Sequence, residues 1–168
     1  GHKEKKPASG FWAFTLVLLA LALSGYGMRE ALRVPPVREV RMQVPGLPDA
    51  LNGFRIAQLS DLHIGPTFGK AWLTDVVART DSLNPDLIVI TGDVVDGSPS
   101  RLEEDVAPLA DLKAKYGVIF APGNHEYYSG IQQWLPVFQR LGMHVLMNEN
   151  TQIRVNGTPL AIAGVTDT

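Results

Sequence analysis

Three short words in the chain bring together side chains that bind cations: Asp61-Leu62-His63, Gly92-Asp93 and Gly123-Asn124-His125-Glu126. Carboxylate, imidazole and carboxamide are hard-to-intermediate ligands that suit Mn²⁺, Fe and Zn²⁺. The 168 residues include no cysteine, which excludes disulfides, thiolate zinc sites and cysteine nucleophiles and leaves oxygen and imidazole nitrogen as ligands. Singly these words are commonplace, because Asp, Asn and His are frequent turn residues. Their phase is not commonplace. Asp61 to Asp93 is 32 residues and Asp93 to Asn124 is 31, each close to the length of one βαβ unit.

Each word closes a short apolar run. Phe54–Ser60 stops at Asp61, Leu87–Thr91 at Gly92-Asp93, and Val118–Ala121 at Pro122-Gly123-Asn124. Leu87–Thr91 is apolar on consecutive positions, as a strand buried on both faces of a parallel sheet must be. Between the runs, Gly69–Leu83 carries Trp72, Leu73, Val76, Val77 and Leu83 at helical spacing, and Leu102–Lys113 carries Leu102, Val106, Leu109 and Leu112. Pro108 kinks the second stretch or marks its real start. Right-handed crossovers place all carboxyl ends of parallel strands on one edge, where open α/β sheets bind ligands. Asp61, His63, Asp93, Asn124 and His125 are therefore expected to converge from three loops.

Beyond this unit, Ile131–Leu141 is a helix interrupted by Pro136 and closed by Gly142, and Met143–Met147 is a further strand. Asn156-Gly157 between Gln152–Val155 and Pro159–Ala163 is a strong hairpin signal. The pattern turns β-rich, so a second sheet is expected to begin here.

The first fifty residues differ in kind. Residues 1–10 form a basic flank with Lys3, Lys5 and Lys6, and residues 11–28 are apolar. The uncharged stretch 7–28 makes a helix of about 33 Å, enough for a hydrocarbon core of about 30 Å. A transmembrane helix with Trp12 and Tyr26 at its interfaces is the favoured reading. A signal peptide cleaved at Ala22-Leu23-Ser24 and a buried core helix are the alternatives. Lysines before the segment and arginines after it leave orientation open, with the soluble part slightly favoured as extracytoplasmic. Residues 29–52 read as a proline-rich connector in which Val37–Val44 forms a possible edge strand, and the domain proper spans 53–168. Net charge is +3 over residues 1–50 and −5 over residues 51–168. The acidic part has no lysine or arginine stripe, so nucleic-acid binding has no signal. The Gly-x-Ser-x-Gly elbow of serine hydrolases is also missing.

Asp61-Leu62-His63, Gly92-Asp93 with Asp96, and Gly123-Asn124-His125-Glu126, in that order, resemble the first three signature blocks of the calcineurin-like metallophosphoesterases. The surrounding text, QLSDLHIG, PDLIVITGDVVDG and APGNHEYY, is similar to the membrane-associated bacterial branch. The resemblance implies the N-terminal half of a four-layer α/β/β/α sandwich. It implies a dinuclear divalent-metal centre in which Asp61 and His63 hold one metal, Asp93 bridges both and Asn124 holds the second. A metal-activated water would be the nucleophile in hydrolysis of a phosphomonoester, phosphodiester or pyrophosphate. His125 would contact phosphate and protonate the leaving alkoxide. Asp96 and Glu126 either orient ligands or cap local turns. Tyr127 and Tyr128 are placed to flank a substrate, though packing is the favoured reading, and His144 is taken as structural.

Complete members of that family carry further downstream histidines, including a Gly-His-x-His block, whereas no histidine follows His144 here. The chain is thus expected to be the N-terminal half of an enzyme, weakly active or inactive alone. A noncatalytic, membrane-anchored binding module is the alternative. A membrane location would favour phosphorylated small molecules or lipid-linked phosphates as substrates.

Overall fold

The structure is a computed structural model that describes residues 9–167; the lysine-rich flank lies outside them. The chain divides into two compact units, residues 1–35 and 36–168. In the first, α1 (Ser9–Ala31) includes the apolar residues 11–28 and continues to Ala31. The stretch Gly10–Ala31 has a mean hydropathy of 1.8 and is 0% buried. By length and composition it is a candidate membrane span, a test that a signal segment and a core helix also pass.

The second unit is built on a four-stranded parallel sheet in the order β1 (Ile56–Leu59), β2 (Leu87–Thr91), β3 (Val118–Ala121), β4 (Met143–Val145). Ile56 pairs with Leu87, Ile88 with Val118, and Val118 with Met143. The connections are α2 (Lys70–Ser82), α3 (Pro99–Val106) continued by a 3-10 turn at Ala107–Asp111, then α4 (Asn124–Tyr128) and α5 (Ile131–Arg140). Sequential strand order with right-handed crossovers puts the helices on one face. There α2 packs on α3 and on the 3-10 turn, and α3 on α5.

The opposite face carries the second sheet, the antiparallel hairpin of β5 (Glu149–Val155) and β6 (Thr158–Gly164). Leu87, Ile119 and Leu146 are buried there, with Val89, Ile153 and Ile162 packed against them. By strand alternation Phe120 faces the helices, where its ring meets Phe138 at 4.6 Å. Helices, parallel sheet and hairpin sheet form successive α/β/β layers of the expected sandwich. The hairpin turns at Asn156 (φ 49°) and Gly157 (φ 87°), both positive as a type I′ turn requires.

Four expectations are corrected. Val37–Val44 is not a strand: Val40 and Met42 are 75% and 79% exposed, and no neighbouring strand among the described residues supplies hydrogen bonds to it. Edge pairing needs a partner, which alternation alone cannot provide. The second helical stretch begins three residues early, with Pro99 in its first turn, and tightens to 3-10 geometry around Pro108. Proline is tolerated there because a first-turn N–H has no partner inside the helix. Leu83, past the end of α2, is exposed, whereas Leu73, Val76, Val77 and Thr80 are buried. Pro136 sits within α5 without ending it.

Candidate metal centre

The carboxyl ends of β1, β2 and β3 release three loops that are stitched together by backbone hydrogen bonds. Asp61 N–H donates to Gly92 O (3.2 Å), His63 N–H to Asp93 O (3.0 Å), Ile64 N–H to Val94 O (2.8 Å) and Asp96 N–H to Ile64 O (2.9 Å). These bonds fold the first two loops into register. They also hold Asp61 (φ 56°), His63 (φ 45°) and Asp93 (φ 55°) in left-handed conformations. Every other non-glycine residue described at positive φ is an asparagine. Left-handed backbone costs an L-residue about 1–3 kcal/mol and persists where the surroundings over-determine it, commonly at functional sites.

The third loop is tied to the second by one carboxylate. Glu126, 0% exposed, accepts N–H bonds from Val94 (2.7 Å) and Val95 (3.3 Å) on Oε1, and from Asp93 (2.9 Å) and Gly123 (2.8 Å) on Oε2. Burial raises its pKa, and the four amides oppose that shift. The bond to Gly123 is a cap of α4, so Glu126 both caps a turn and positions the Asp93 loop. Gly92 and Gly123 make this junction possible. A Cβ on Gly92 would enter the Gly123 backbone, and one on Gly123 would enter the Asp93 carboxylate.

The result is a cluster of donors. One ligand atom each from Asp61, His63 and Asp93 lies within 4.8 Å of the others, and His63 Nε2 is 4.0 Å from Asp61 Oδ1. Ser60 Oγ donates to Asp61 Oδ2. Asp93 Oδ1 also accepts His125 N–H at 2.9 Å. With its amide nitrogen facing Asp93, Asn124 lies 3.2 and 3.3 Å from the two carboxylate oxygens. Two carboxylates, an imidazole and a carboxamide are a donor set that fits hard divalent cations.

Asp96 has a different place. Its Oδ1 is 3.0 Å from His63 Nδ1 and 2.6 Å from His125 Nδ1, and the two rings stand edge-on with centroids 4.6 Å apart. One oxygen shared by two ring nitrogens orients both imidazoles and frees Nε2 of each, the usual support for a metal-ligating histidine. Burial works against the charge on Asp96, but the hydrogen bonds to His63 and His125 prevail and hold its pKa below the ordinary carboxylate value. The bond to Asp96 raises the pKa of His63, against some desolvation, and Asp93 and Asp61 add to the rise.

The structure thus gathers Asp61, His63, Asp93, Asp96, Asn124, His125 and Glu126 at one edge. His144 lies on β4, paired with Ile119 and exposed. Tyr127 and Tyr128 depart from packing: Tyr127 is at the border of exposure and Tyr128 is 79% exposed. The sequence reading missed α4, whose first residues are Asn124 and His125. The Glu126 at its third position was the available signal.

The sequence pattern of the calcineurin-like phosphoesterases matches residues 54–166. A zebrafish (Danio rerio) protein named "Transmembrane protein with metallophosphoesterase domain" is 36% identical over 98% of this chain, and its bovine (Bos taurus) namesake is 37% identical over 90%. An uncharacterized metallophosphoesterase of Campylobacter jejuni is 31% identical over 83%. The matched segments make up 39%, 36% and 37% of those relatives' own lengths. With the loops, the donor cluster and these likenesses together, the chain belongs to the calcineurin-like phosphoesterase family.

Proposed function

We propose that this chain carries the first metal-binding half of a membrane-anchored phosphoesterase, acting on phosphomonoesters, phosphodiesters or pyrophosphates. The observation that carries the reading is the convergence of Asp61, His63 and Asp93 in left-handed backbone at one sheet edge. In this reading Asp61, His63, Asp93 and Asn124 would hold the divalent cations, Asn124 through a neutral oxygen beside an anionic substrate. Bound cations would supply Lewis acidity and lower the pKa of water.

The chain's own side chains then have distinct tasks. His125 Nδ1 is engaged by Asp96, so its Nε2 is the atom left for a substrate oxygen. As the P–O bond breaks, His125 gives a proton to the leaving oxygen while water supplies the new oxygen on phosphorus. Asp96 is a positioning residue, fixing the tautomer and angle of His125 and His63. Glu126 keeps the second and third loops in register. The N-terminal helix would hold this chemistry beside a bilayer, which favours lipid-linked as well as small phosphorylated substrates. The relatives' names include the word transmembrane, which supports the anchor.

The test is hydrolysis of generic phosphomonoesters and diesters by the full-length gene product in detergent, with and without Mn²⁺, Fe²⁺ or Zn²⁺. Metal-dependent turnover that falls about 10²–10⁴-fold in His125→Ala is expected for a general acid. Turnover unaltered by His125→Ala and by Asp93→Ala would sink the role assignment.

A further inference from the structure

We propose that the groove beside His125 is a leaving-group subsite that takes a flat ring, with Tyr128 as its stacking face. This rests on the phosphoesterase reading above and names the substrate class for it. The groove has a volume of about 420 Å³ and is lined by Asp96, Gly97 and Ser98 on one side and His125, Tyr128 and Ser129 on the other. It therefore begins at the residue that would protonate the leaving oxygen. Whatever substituent that oxygen carries has this groove beside it.

Tyr128 is the most exposed aromatic ring in residues 36–167, at 79%. A tyrosine can bury roughly 150–250 Å² when packed, as the rings of Phe120, Trp134 and Phe138 in this unit are buried. Tyr128 instead meets only the edge of His125, with ring centroids 5.7 Å apart at 63°. Its ring stays open.

The walls are preformed. Gly97 O accepts the indole N–H of the fully buried Trp134 at 2.9 Å, and Ser129 Oγ donates to Val95 O at 3.0 Å. Asp96 is held by two imidazoles, and Ser98 Oγ lies 2.9 Å from Ser100 Oγ. An open surface groove of this size with hydroxyl and carboxylate rims has room for one ring system. Aromatic stacking beside polar rims is the chemistry that recognises an aryl or nucleobase-bearing alcohol.

The experiment compares benzyl phosphate with ethyl phosphate, whose leaving groups are both simple alcohols, in the full-length metal-loaded protein. Tyr128→Ala is expected to lower the benzyl-over-ethyl ratio of kcat/KM about tenfold through KM, the size of one aromatic stacking contact. Tyr128→Phe is expected to restore it, since the ring and not the hydroxyl does the work. In parallel, calorimetry on the Mn²⁺-loaded protein compares benzylphosphonate with ethylphosphonate, neither of which can be hydrolysed at a P–O ester bond. A ring preference in binding that Tyr128→Ala erases supports the subsite even if neither ester turns over, and in that case only the phosphoesterase reading falls. Turnover of both esters with a benzyl preference unchanged in Tyr128→Ala, or with no benzyl preference at all, overturns the subsite and leaves the phosphoesterase reading standing. Neither binding nor turnover overturns both.

Discussion

The two edges of the parallel sheet use the same residue type to opposite ends. At the amino edge, a hollow of about 630 Å³ is lined by Asp81, Asn84, Asp86, Lys113 and Lys115 among others. It is the larger of the two hollows described. Its carboxylates, however, serve backbone amides of adjoining segments: Asp81 accepts Lys113 N–H at 2.9 Å and Asp86 accepts Arg55 N–H at 2.8 Å. At the carboxyl edge, Asp61, Asp93 and Asp96 are gathered with two histidines, and a buried glutamate takes most of the backbone work for the loops, with Asp93 accepting His125 N–H. Volume does not locate chemistry here. What does is the convergence of ligand atoms from three loops, held by a backbone that accepts left-handed conformations to keep them there.

Substitutions across the two edges should separate these roles. The largest effect is expected from Asp93→Ala, which removes the carboxylate shared by the donor cluster and by His125 N–H; metal-dependent hydrolysis should be abolished and Mn²⁺ binding by calorimetry lost. Glu126→Gln comes next. Its single carbonyl oxygen can serve only one of the two N–H pairs, and the buried orphans should cost about 3 kcal/mol, read as a lower urea midpoint. Retained stability would mean that water or a shifted loop replaces the lost oxygen.

Asp96→Asn should preserve the fold while loosening both imidazoles, weakening metal affinity by about 10–100-fold. Unchanged affinity would show that packing alone holds His63. The smallest effect belongs to the amino edge. Asp81→Ala should lower stability by about 1 kcal/mol through loss of its bond to Lys113 N–H, with metal affinity and turnover unmoved. A loss of metal binding there would erase the distinction between the two edges.

Much of the carboxyl edge was legible because topology converts spacing into position. Intervals of 32 and 31 residues are each the length of one βαβ unit, and parallel strands share one carboxyl edge, so the words at Asp61, Asp93 and Asn124 were expected to meet there. The hairpin at Asn156-Gly157 was legible because both residues tolerate positive φ. Glu126 was readable as part of a word but not as the acceptor of Asp93, Val94 and Val95 amides, which lie 31 to 33 residues away. The extended segment at Val37–Val44 has strand composition but no partner, and composition cannot supply one.

Local chemistry and periodicity thus determined the apolar N-terminal helix, the parallel strands, the ligand types and the edge on which they meet. Each depends on side-chain character or chain geometry within one βαβ unit. Only the tertiary structure decided that Asp96 bridges two imidazoles, that Glu126 locks two loops through four amides, and that Tyr128 stands open beside His125. Those outcomes depend on directions in space between residues far apart in sequence, which hydrogen-bond geometry and packing fix only once the chain has folded.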